Sequence, residues 1–432
     1  VVGIKGIDVI RSTGSEKGRV FAYQENPVIG LPGGTGDAVR TALDAFCDTG
    51  KNRDIYVFPG DMGLLSSQVV NRFREIFESS GADMMMLTGE YSGPVRTNYY
   101  GRILRVPEED AAGQSSGDDQ DRVIEIRQHR DILDQDPESL YEVEFNGRTH
   151  AFHRQTLLET REIDTLTFAF KEAALRQHIA ELTTDNAQGE LQLTDLVHLF
   201  NQNGLVVRAT MAEQEEDILA FNVKSVWRQM ESIARARVYE ILRDTITIVD
   251  EEDFYIADEV VDRILELDEA QGPTDIVIGK GAHIGPEVEL NRRVHIGDRS
   301  ELTGHIVLGE DVQIGAGVAM STYPNQTLKL GNGVQVLSRN ILKGNLQIGA
   351  RSRIESGVIM TGSDEHPLRT GERVTVKGTS YIYGCTVDDD LFIEHSVIQC
   401  KHVKAIHNSN GSVQPVRYVL PDPEGLNSIT NL

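Results

Sequence analysis

The chain has 432 residues, too many for one compact core, so two or three domains are expected. Its formal net charge of −25 argues against nucleic acid and anionic membranes as partners, because both are polyanions. Three widely spaced cysteines indicate a reducing compartment without a disulfide framework. No apolar run approaches the roughly 18 residues needed to cross a bilayer. These features predict a cytoplasmic protein.

Strand and helix signals alternate along the N-terminal half. A glycine-rich segment, residues 31–38, leads into an amphipathic helix. Residues 54–58 are predicted as a buried strand that ends just before Asp61, and residues 84–87 as the next strand. A long helix is predicted over residues 223–243. This alternation predicts a mostly parallel sheet that is covered on both faces.

Two of these segments carry candidate functional residues. Asp61 follows a predicted parallel strand, where open α/β sheets bind ligands, so its carboxylate could hold Mg²⁺ against phosphates. It could equally cap the next helix. The glycines from Gly33 to Gly36 would let the backbone approach a base or phosphate, or simply form a flexible turn. Neither segment is a Walker loop or a dinucleotide fingerprint.

A six-residue period dominates the C-terminal third. Apolar residues recur at every sixth position in two runs, 278–320 and 330–360. This period predicts a three-sided β-helix, in which each side is a short strand and the apolar residue faces a narrow core. A sandwich of short strands is the alternative, but its turns do not recur every six residues. Glycine follows the apolar residue at seven positions, which predicts tight corners with positive φ there: Gly279, Gly285, Gly297, Gly309, Gly315, Gly331 and Gly349.

The period is interrupted in two places. Residues 321–325 are predicted to form a loop at one corner, between the two runs. After Met360 the register fades, so residues 362–373 are predicted as a loop and residues 376–398 as a few irregular strands.

Six segments, in order along the chain, resemble motifs of one enzyme family. They are Gly34-Thr35-Gly36-Asp37-Ala38, Phe58-Pro59-Gly60-Asp61, Tyr100-Gly101-Arg102-Ile103, Val123 to Asp131, Asn186 to Asp195, and Phe221-Asn222. They resemble the G-T-G-H-A, Y-G-D, Y-G-R-I, I-V-E-H-K-D, N-A-Q-G-E-x-x-I-T-D and V-N segments of bacterial N-acetylglucosamine-1-phosphate uridylyltransferases. The resemblance covers residues 1 to about 250, and the β-helix continues it.

The resemblance implies an α/β domain with a mostly parallel, Rossmann-like sheet, followed by a left-handed β-helix. The implied organisation is a nucleotidyltransferase domain over 1–221, a linker helix and connection over 222–273, the β-helix over 274–407 and a tail over 408–432. The family begins with a glycine-rich loop that cradles the triphosphate. This chain begins at Val1-Val2-Gly3-Ile4, which looks like the family's second strand. We therefore interpret the chain as N-terminally truncated and expect the polypeptide as given to be inactive.

The activity that the resemblance implies is nucleotidyl transfer. A sugar 1-phosphate attacks the α-phosphate of a nucleoside triphosphate and releases pyrophosphate, with catalysis by positioning and charge neutralisation. Asp61 and Asn222 would hold Mg²⁺ as the cofactor. The implied nucleotide-binding residues are Gln24, Gly34, Thr35 and Asp61, and the implied sugar-binding residues are Gly101, Gln128, Asp164 and Asn222.

Two sugar-site positions differ from the family. Gln128 stands where the E-H-K-D motif has Glu, and Asp164-Thr165-Leu166 stands where the family has N-T-G. A glutamine still bonds hydroxyls, but an ionised aspartate only accepts hydrogen bonds where an asparagine also donates them. The expected reaction is synthesis of UDP-N-acetylglucosamine, a cell-wall precursor, from UTP. Alternatives are a hexose-1-phosphate adenylyl- or thymidylyltransferase, and a non-catalytic nucleotide-sugar-binding or assembly subunit.

The β-helix in such proteins implies a homotrimer that forms through its flat sides. In the bifunctional family it also carries acetyl transfer, with the motif N-I-G-A-G-T-x-x-x-N-Y-D-G. Residues 313–325 resemble this motif but lack its later Asn and Asp. His305 lies about one hexad too close to serve as the family's general base. Acetyl transfer is therefore not predicted, and His305 is expected to be a solvated side-wall residue.

Overall fold

The structure is a computed structural model that describes residues 1–3, 6–14, 18–24, 33–46, 53–221 and 223–418. It divides into two compact units, Val1–Met230 and Glu231–Leu432. The boundary falls within a long helix, Lys224–Leu242, which confirms the helix predicted over residues 223–243. None of the helices in the described ranges combines the length and apolar character that a bilayer crossing requires.

The N-terminal unit alternates helices and strands, as predicted. Its described helices are α1 (Gly6–Thr13), α2 (Thr35–Ala45), α3 (Ser67–Ser80), α4 (His129–Asp134), α5 (Arg154–Glu159), α6 (Glu172–His178) and α7 (Leu196–Gln202). Its described strands are β1 (Asp54–Val57), β2 (Met84–Glu90), β3 (Arg102–Arg105), β4 (Val123–Arg127), β5 (Leu140–Phe145), β6 (Arg148–His153), β7 (Glu162–Lys171) and β8 (Val207–Met211).

The central sheet has the strand order β4-β3-β7-β2-β8, and β1 also pairs with β7. Strand β7 runs antiparallel to β1, β2 and β3, whereas β2 and β8 pair in parallel. The predicted α/β class is therefore confirmed, but the sheet is mixed rather than mostly parallel, because β7 runs against β1, β2 and β3, and β4 runs against β3. Sequence periodicity carried no signal for this reversal.

Both faces of the sheet are covered, as expected for the predicted class. Along β2, Met84 and Met86 pack into one apolar cluster, while Met85 and Leu87 pack into another on the opposite face. Successive side chains of a strand point to opposite faces, so a strand that is buried on both sides reads as a continuous apolar run. The second cluster includes Phe73 of α3.

The second unit is a parallel β-helix with three sides. The first side stacks β9 (Thr247–Ile248), β11 (Val277–Ile278), β14 (His295–Ile296), β17 (Gln313–Ile314), β20 (Gln335–Val336), β23 (Arg353–Ile354), β26 (Thr375–Val376) and β29 (Phe392–Ile393). The second side stacks β10 (Tyr255–Ile256), β12 (His283–Ile284), β15 (Glu301–Thr303), β18 (Ala319–Ser321), β21 (Ile341–Gly344), β24 (Ile359–Gly362), β27 (Tyr381–Tyr383) and β30 (Val397–Gln399). The third side stacks β13 (Val288–Glu289), β16 (Ile306–Leu308), β19 (Leu328–Leu330), β22 (Leu346–Ile348), β25 (Leu368–Thr370), β28 (Thr386–Val387) and β31 (His402–Val403).

This coil matches the predicted left-handed β-helix. Every residue of the two predicted six-residue runs is buried in its core except Leu290, which is partly buried against it. Strands β9 and β10 extend the first two sides, and helices α8 (Lys224–Leu242) and α9 (Asp258–Gln271) complete the elements of this half. Val260, Val261 and Ile264 of α9 join the core of the coil.

The coil continues regularly beyond Met360, where the sequence predicted a loop and irregular strands. That prediction was right only for residues 363–367, which connect β24 to β25, and wrong for the rest. Strand β25 lies within the supposed loop, and the core continues through Val376, Ile382, Ile393 and Ile398. The six-residue register was lost because the length of the turn changes: the step from Met360 to its partner Ile382 is longer than three hexads, and the next step is shorter. Ile278 pairs with Ile296, a step of three full hexads, whereas the step from Ile382 to its partner Ile398 is not a multiple of six.

The corner glycines serve a different purpose from the one predicted. None of the seven has a positive φ. Instead, most of them lie where a Cβ atom would collide with the backbone of the next turn; at Gly315 it would lie 2.7 Å from the Ser338 nitrogen. Left-handed residues occur elsewhere at the corners, including Arg293, Arg339 and Arg351. Glycine is thus required here for close stacking of turns rather than for backbone conformation.

Replacement of Gly315 by Ala is expected to lower the free energy of unfolding of the β-helix by about 1–3 kcal/mol, the usual range for overpacking. Gly285 is the matched control, because its added Cβ would meet nothing nearer than the Leu302 oxygen at 3.2 Å. Urea unfolding followed by circular dichroism would measure both variants. Equal loss of stability in the two would contradict the stacking explanation.

Candidate functional site

Asp61 lies just beyond the carboxyl end of β1, as predicted, although the described pairing of β1, with β7, is antiparallel and not parallel. Its backbone carbonyl accepts a hydrogen bond of 3.2 Å from the Phe221 amide. No described residue donates a hydrogen bond to its half-buried carboxylate or forms an ion pair with it, so its charge is available to a cation. Asn222, the second predicted metal ligand, lies outside the described residues, although its neighbour Phe221 is joined to Asp61.

The position of β1 is fixed by a buried carboxylate. Glu172, at the start of α6, accepts two 2.7 Å hydrogen bonds from Arg53, just before β1, and one of 2.9 Å from Arg176. Hydrogen bonds from Arg53, and then from Arg176, lower the pKa of Glu172 to about 2. This cluster ties the strand that carries Asp61 to the neighbouring helix.

Replacement of Glu172 by Gln is expected to reduce stability at pH 7 by about 2 kcal/mol. Because the pKa of Glu172 is lower in the folded state, its stabilisation is present above the ordinary value of 4.5 and disappears as the pH falls to about 2. The difference between wild type and variant should therefore shrink at pH 3. Denaturant unfolding at both pH values would measure it, with exposed Glu142→Gln as control. A difference independent of pH would contradict the prediction.

The loop before β3 approaches Asp61. Burial, and then the nearby Tyr91 and Asp61, raise the pKa of Tyr100. The Tyr91 and Tyr100 rings lie 6.1 Å apart. Arg102, which is fully buried, donates to the carbonyls of Asn98 and Tyr100 and so fixes this loop. Arg102 was not among the predicted site residues; its place in the Tyr100-Gly101-Arg102-Ile103 motif was the signal available in the sequence.

Three predicted sugar-site residues lie together. A Cβ atom on Gly101 would lie 3.1 Å from Gln128 Nε2 and 3.5 Å from Asp164 Cβ. The Asp164 amide donates to the Gly101 carbonyl at 3.0 Å, and Gln128 Nε2 donates to Thr194 Oγ1 at 3.4 Å. Burial raises the pKa of Asp164 to about 7, partly offset by the hydrogen bond from the Leu166 amide. The structure therefore brings Gly101, Gln128 and Asp164 to one place.

The predicted nucleotide-binding residues form a second group. Gln24 Nε2 donates to the Gly34 carbonyl and to Asp37 Oδ2, each at 3.0 Å. Thr35 Oγ1 accepts from the Leu193 amide at 3.0 Å. Gly34 has a φ of 105°, and a Cβ there would lie 2.5 Å from the Leu191 carbonyl oxygen, so the loop requires glycine. Two of the family-like segments, around residues 34 and 191, are thus in direct contact.

A cavity of about 500 Å³ lies beside the sugar-site group and was not predicted. Glu125 accepts a 2.5 Å hydrogen bond from the Tyr141 hydroxyl, and Arg127 lies over the Tyr141 ring. Burial, followed by repulsion from Glu125 and Asp131, raises the pKa of Asp195 to about 6. The alternation of polar and apolar residues along β4 was the only sequence signal for this cavity.

No described group of three or more acidic, His or Cys side chains could hold a metal ion. The arrangement at Asp61 nevertheless fits Mg²⁺, which commonly takes one or two protein carboxylates and completes its shell with water and phosphates. In the β-helix, His305 is half-buried, and its side chain is 44% exposed. Its Nδ1 contacts Thr327 Oγ1 at 2.9 Å, and its Nε2 lies 3.5 Å from Glu289.

Comparison with known proteins gives distant but extensive matches. No family model matches the chain. It is 28% identical over 281 residues to the bifunctional protein GlmU of Clostridium tetani. The matched region covers 65% of this chain and 51% of that protein. It is 26% identical over 388 residues to GlmU of Lactobacillus helveticus, a match that covers 74% of this chain and 75% of that protein. It is 25% identical over 346 residues to GlmU of Clostridium kluyveri, a match that covers 77% of this chain and 67% of that protein.

The chain spans about half the length of some of the curated relatives that it matches, such as GlmU of Clostridium tetani and GlmU of Halalkalibacterium halodurans. The similarity nevertheless reaches three quarters of this chain in other GlmU proteins. The motifs, the α/β unit followed by a β-helix, and these matches agree, so the chain is similar to the GlmU proteins over about three quarters of its length.

Proposed function

We propose that the N-terminal unit forms a nucleotide sugar from a nucleoside triphosphate and a sugar 1-phosphate, with release of pyrophosphate. The observation that carries the proposal is the convergence of residues that are distant in sequence. Gly101, Gln128 and Asp164 meet at one place, and the Tyr100 loop links them to Asp61. UTP and N-acetylglucosamine 1-phosphate are the proposed substrates, by analogy with the family that the motifs resemble.

In the proposed mechanism, Asp61 and Asn222 would hold Mg²⁺, which would neutralise charge on the phosphates. Gln24, Gly34 and Thr35 would contact the base, and Gly101 would leave room for the sugar ring. The chemistry requires little beyond alignment of the attacking and leaving oxygens, since phosphoryl-type transfer depends on positioning and electrostatic stabilisation.

The test is Mg²⁺-dependent pyrophosphate exchange, with each nucleoside triphosphate paired with each candidate sugar 1-phosphate. Exchange is measured on residues 1–432 and on a polypeptide extended by any residues encoded upstream. Exchange fastest with UTP and N-acetylglucosamine 1-phosphate is the expected result. A preference for ATP or dTTP would favour the adenylyl- or thymidylyltransferase alternative, and no exchange with any pair would overturn the enzyme proposal.

A non-catalytic nucleotide-sugar-binding subunit is the second candidate. It is favoured by Gln128 and Asp164, which differ from the family motifs at the sugar site. Binding of a nucleotide sugar without exchange would identify this function. Exchange at an enzymatic rate would exclude it.

We also infer that the chain assembles as a homotrimer through its β-helix. The second side of the coil carries an outward apolar stripe, which consists of residues in register on five successive turns: Ala319, Ile341, Ile359, Tyr381 and Val397. Ile341 is 44% exposed and Ile359 is 38% exposed. An exposed apolar patch of this kind commonly marks an association surface. The corresponding residues of the third side are mainly polar, including Lys329, Gln347 and Arg369.

A further inference from the structure

Asp164 is a buried carboxyl without a cation. Its residue is 4% exposed, and no described Lys, Arg or His lies within ion-pair distance of it. Its Oδ1 accepts one hydrogen bond, of 2.8 Å, from the Leu166 amide. Removing an ionised carboxylate from water without a counter-ion is costly, so such a group is more stable in its neutral form.

Asp164 lies at an irregularity in the central strand β7. Leu87 of β2 pairs with Thr167, but the next residue, Thr88, pairs with Asp164, so Thr165 and Leu166 form a bulge. The backbone bond to Leu166 stabilises this bulge. An amide oxygen would accept that bond equally well and without a charge to bury. The bulge therefore explains the hydrogen bond to Oδ1. It does not explain why an ionisable residue occupies this position.

The described charged groups around Asp164 do not neutralise a charge on its carboxylate. Arg102, on the adjacent strand β3, is occupied by the carbonyls of Asn98 and Tyr100. On β7 itself, Glu162 is paired with Arg105. Gln128, which flanks the same side of Gly101, is uncharged, and Thr88 on β2 donates to Glu162. The shift in the pKa of Asp164 accordingly has burial as its first cause and no charged group among its causes.

We propose that Asp164 binds the sugar as a neutral carboxylic acid and donates a hydrogen bond to the carbonyl oxygen of an N-acetyl group. This inference rests on the proposed function and deepens it, because it assigns the sugar class to one residue. An ionised aspartate could only accept a hydrogen bond, and would repel a carbonyl oxygen. A protonated aspartate restores the donor that the sequence alone suggested was lost. Asp164 thereby becomes a specificity-determining residue for acetamido sugars.

The test compares sugar phosphates at two pH values by isothermal titration calorimetry. The affinity for N-acetylglucosamine 1-phosphate, divided by that for glucose 1-phosphate, should fall at least tenfold between pH 6 and pH 8.5 as the acid ionises. The ratio removes the titration of the phosphate group, which both ligands share. Asp164→Asn should keep the bond to the Leu166 amide, bind N-acetylglucosamine 1-phosphate well at both pH values, and lose the pH dependence.

The control is Asp83→Asn, because the Asp83 side chain also accepts a backbone hydrogen bond, from Val206, at the opposite end of β2. This variant should retain the wild-type pH dependence. A wild-type ratio that does not change with pH overturns the inference, as does a pH dependence that survives in Asp164→Asn. Failure to bind any sugar phosphate would overturn both the inference and the sugar site. Binding that follows the predicted ratio, without pyrophosphate exchange in either residues 1–432 or the extended polypeptide, would leave the inference intact and refute the enzyme proposal alone.

Discussion

Replacement of Asp61 by Asn is expected to reduce Mg²⁺-dependent pyrophosphate exchange by about 100-fold or more, because removal of a group that stabilises phosphate charge has effects of this size. The carboxylate has no described protein partner, so its proposed role is to bind the cation. The hydrogen bond from Phe221 goes to the Asp61 backbone carbonyl and survives the substitution. Exchange rates at increasing Mg²⁺ concentration, on a polypeptide competent for exchange, measure the effect.

Asp118→Asn provides the control for this experiment, because Asp118 is exposed in a short 3₁₀ turn far along the chain from β1. It should exchange at the wild-type rate. If Asp61→Asn retained a rate within about threefold of wild type at every Mg²⁺ concentration, Asp61 would not be a metal ligand. A partial recovery at high Mg²⁺ would support weakened metal binding as the cause.

Replacement of both Ile341 and Ile359 by Glu is expected to convert the proposed trimer into monomers. Both side chains point outward from the second side, so the core of the coil is unaffected. The interface would lose two apolar side chains per subunit, each worth about 1.5–3 kcal/mol when buried, and would have to bury carboxylates without partners. Sedimentation velocity and light scattering would measure the mass of the assembly.

A matched substitution on another face separates loss of the stripe from added charge. Gln347 lies outward on the third side, so Gln347→Glu adds a carboxylate to the same coil and should leave the assembly intact. A double stripe variant with the same mass as wild type would show that the second side is not the interface. A wild-type monomer at micromolar concentration would contradict the trimer itself.

The β-helix was predictable because one physical constraint, an inward apolar residue on every side of each turn, repeats with a fixed period. The prediction failed where the constraint stayed but the period changed, after Met360, because a longer turn from Met360 to Ile382 and a shorter one from Ile382 to Ile398 break the six-residue pattern. The predicted reason for the corner glycines, positive φ, was also wrong. Sequence reveals that Gly315 lacks a side chain but not that Ser338 of the next turn lies beside it.

The N-terminal site was accessible only through ordered motifs. Gly101, Gln128 and Asp164 are uninformative individually, and their proximity depends on the pairing of β3 with β7, which periodicity cannot reveal. The direction of β7 and the cavity around Glu125 were missed for the same reason: both arise from contacts between segments distant in sequence. The protonation of a buried carboxyl is likewise a property of its surroundings, so an aspartate in the sequence cannot be assigned as acceptor or donor.

The regular stacking of the coil has a consequence for how it folds. Each strand pairs only with strands one turn before and after it, so partners are close together along the chain, as for Ile382 with Ile398 and Met320 with Leu342. Such local contacts favour rapid growth from a nucleus, turn by turn, and make opening a local event at the ends of the stack. Amide hydrogens of the central turns, around Val336 and Ile354, should therefore exchange with solvent more slowly than those near Val403.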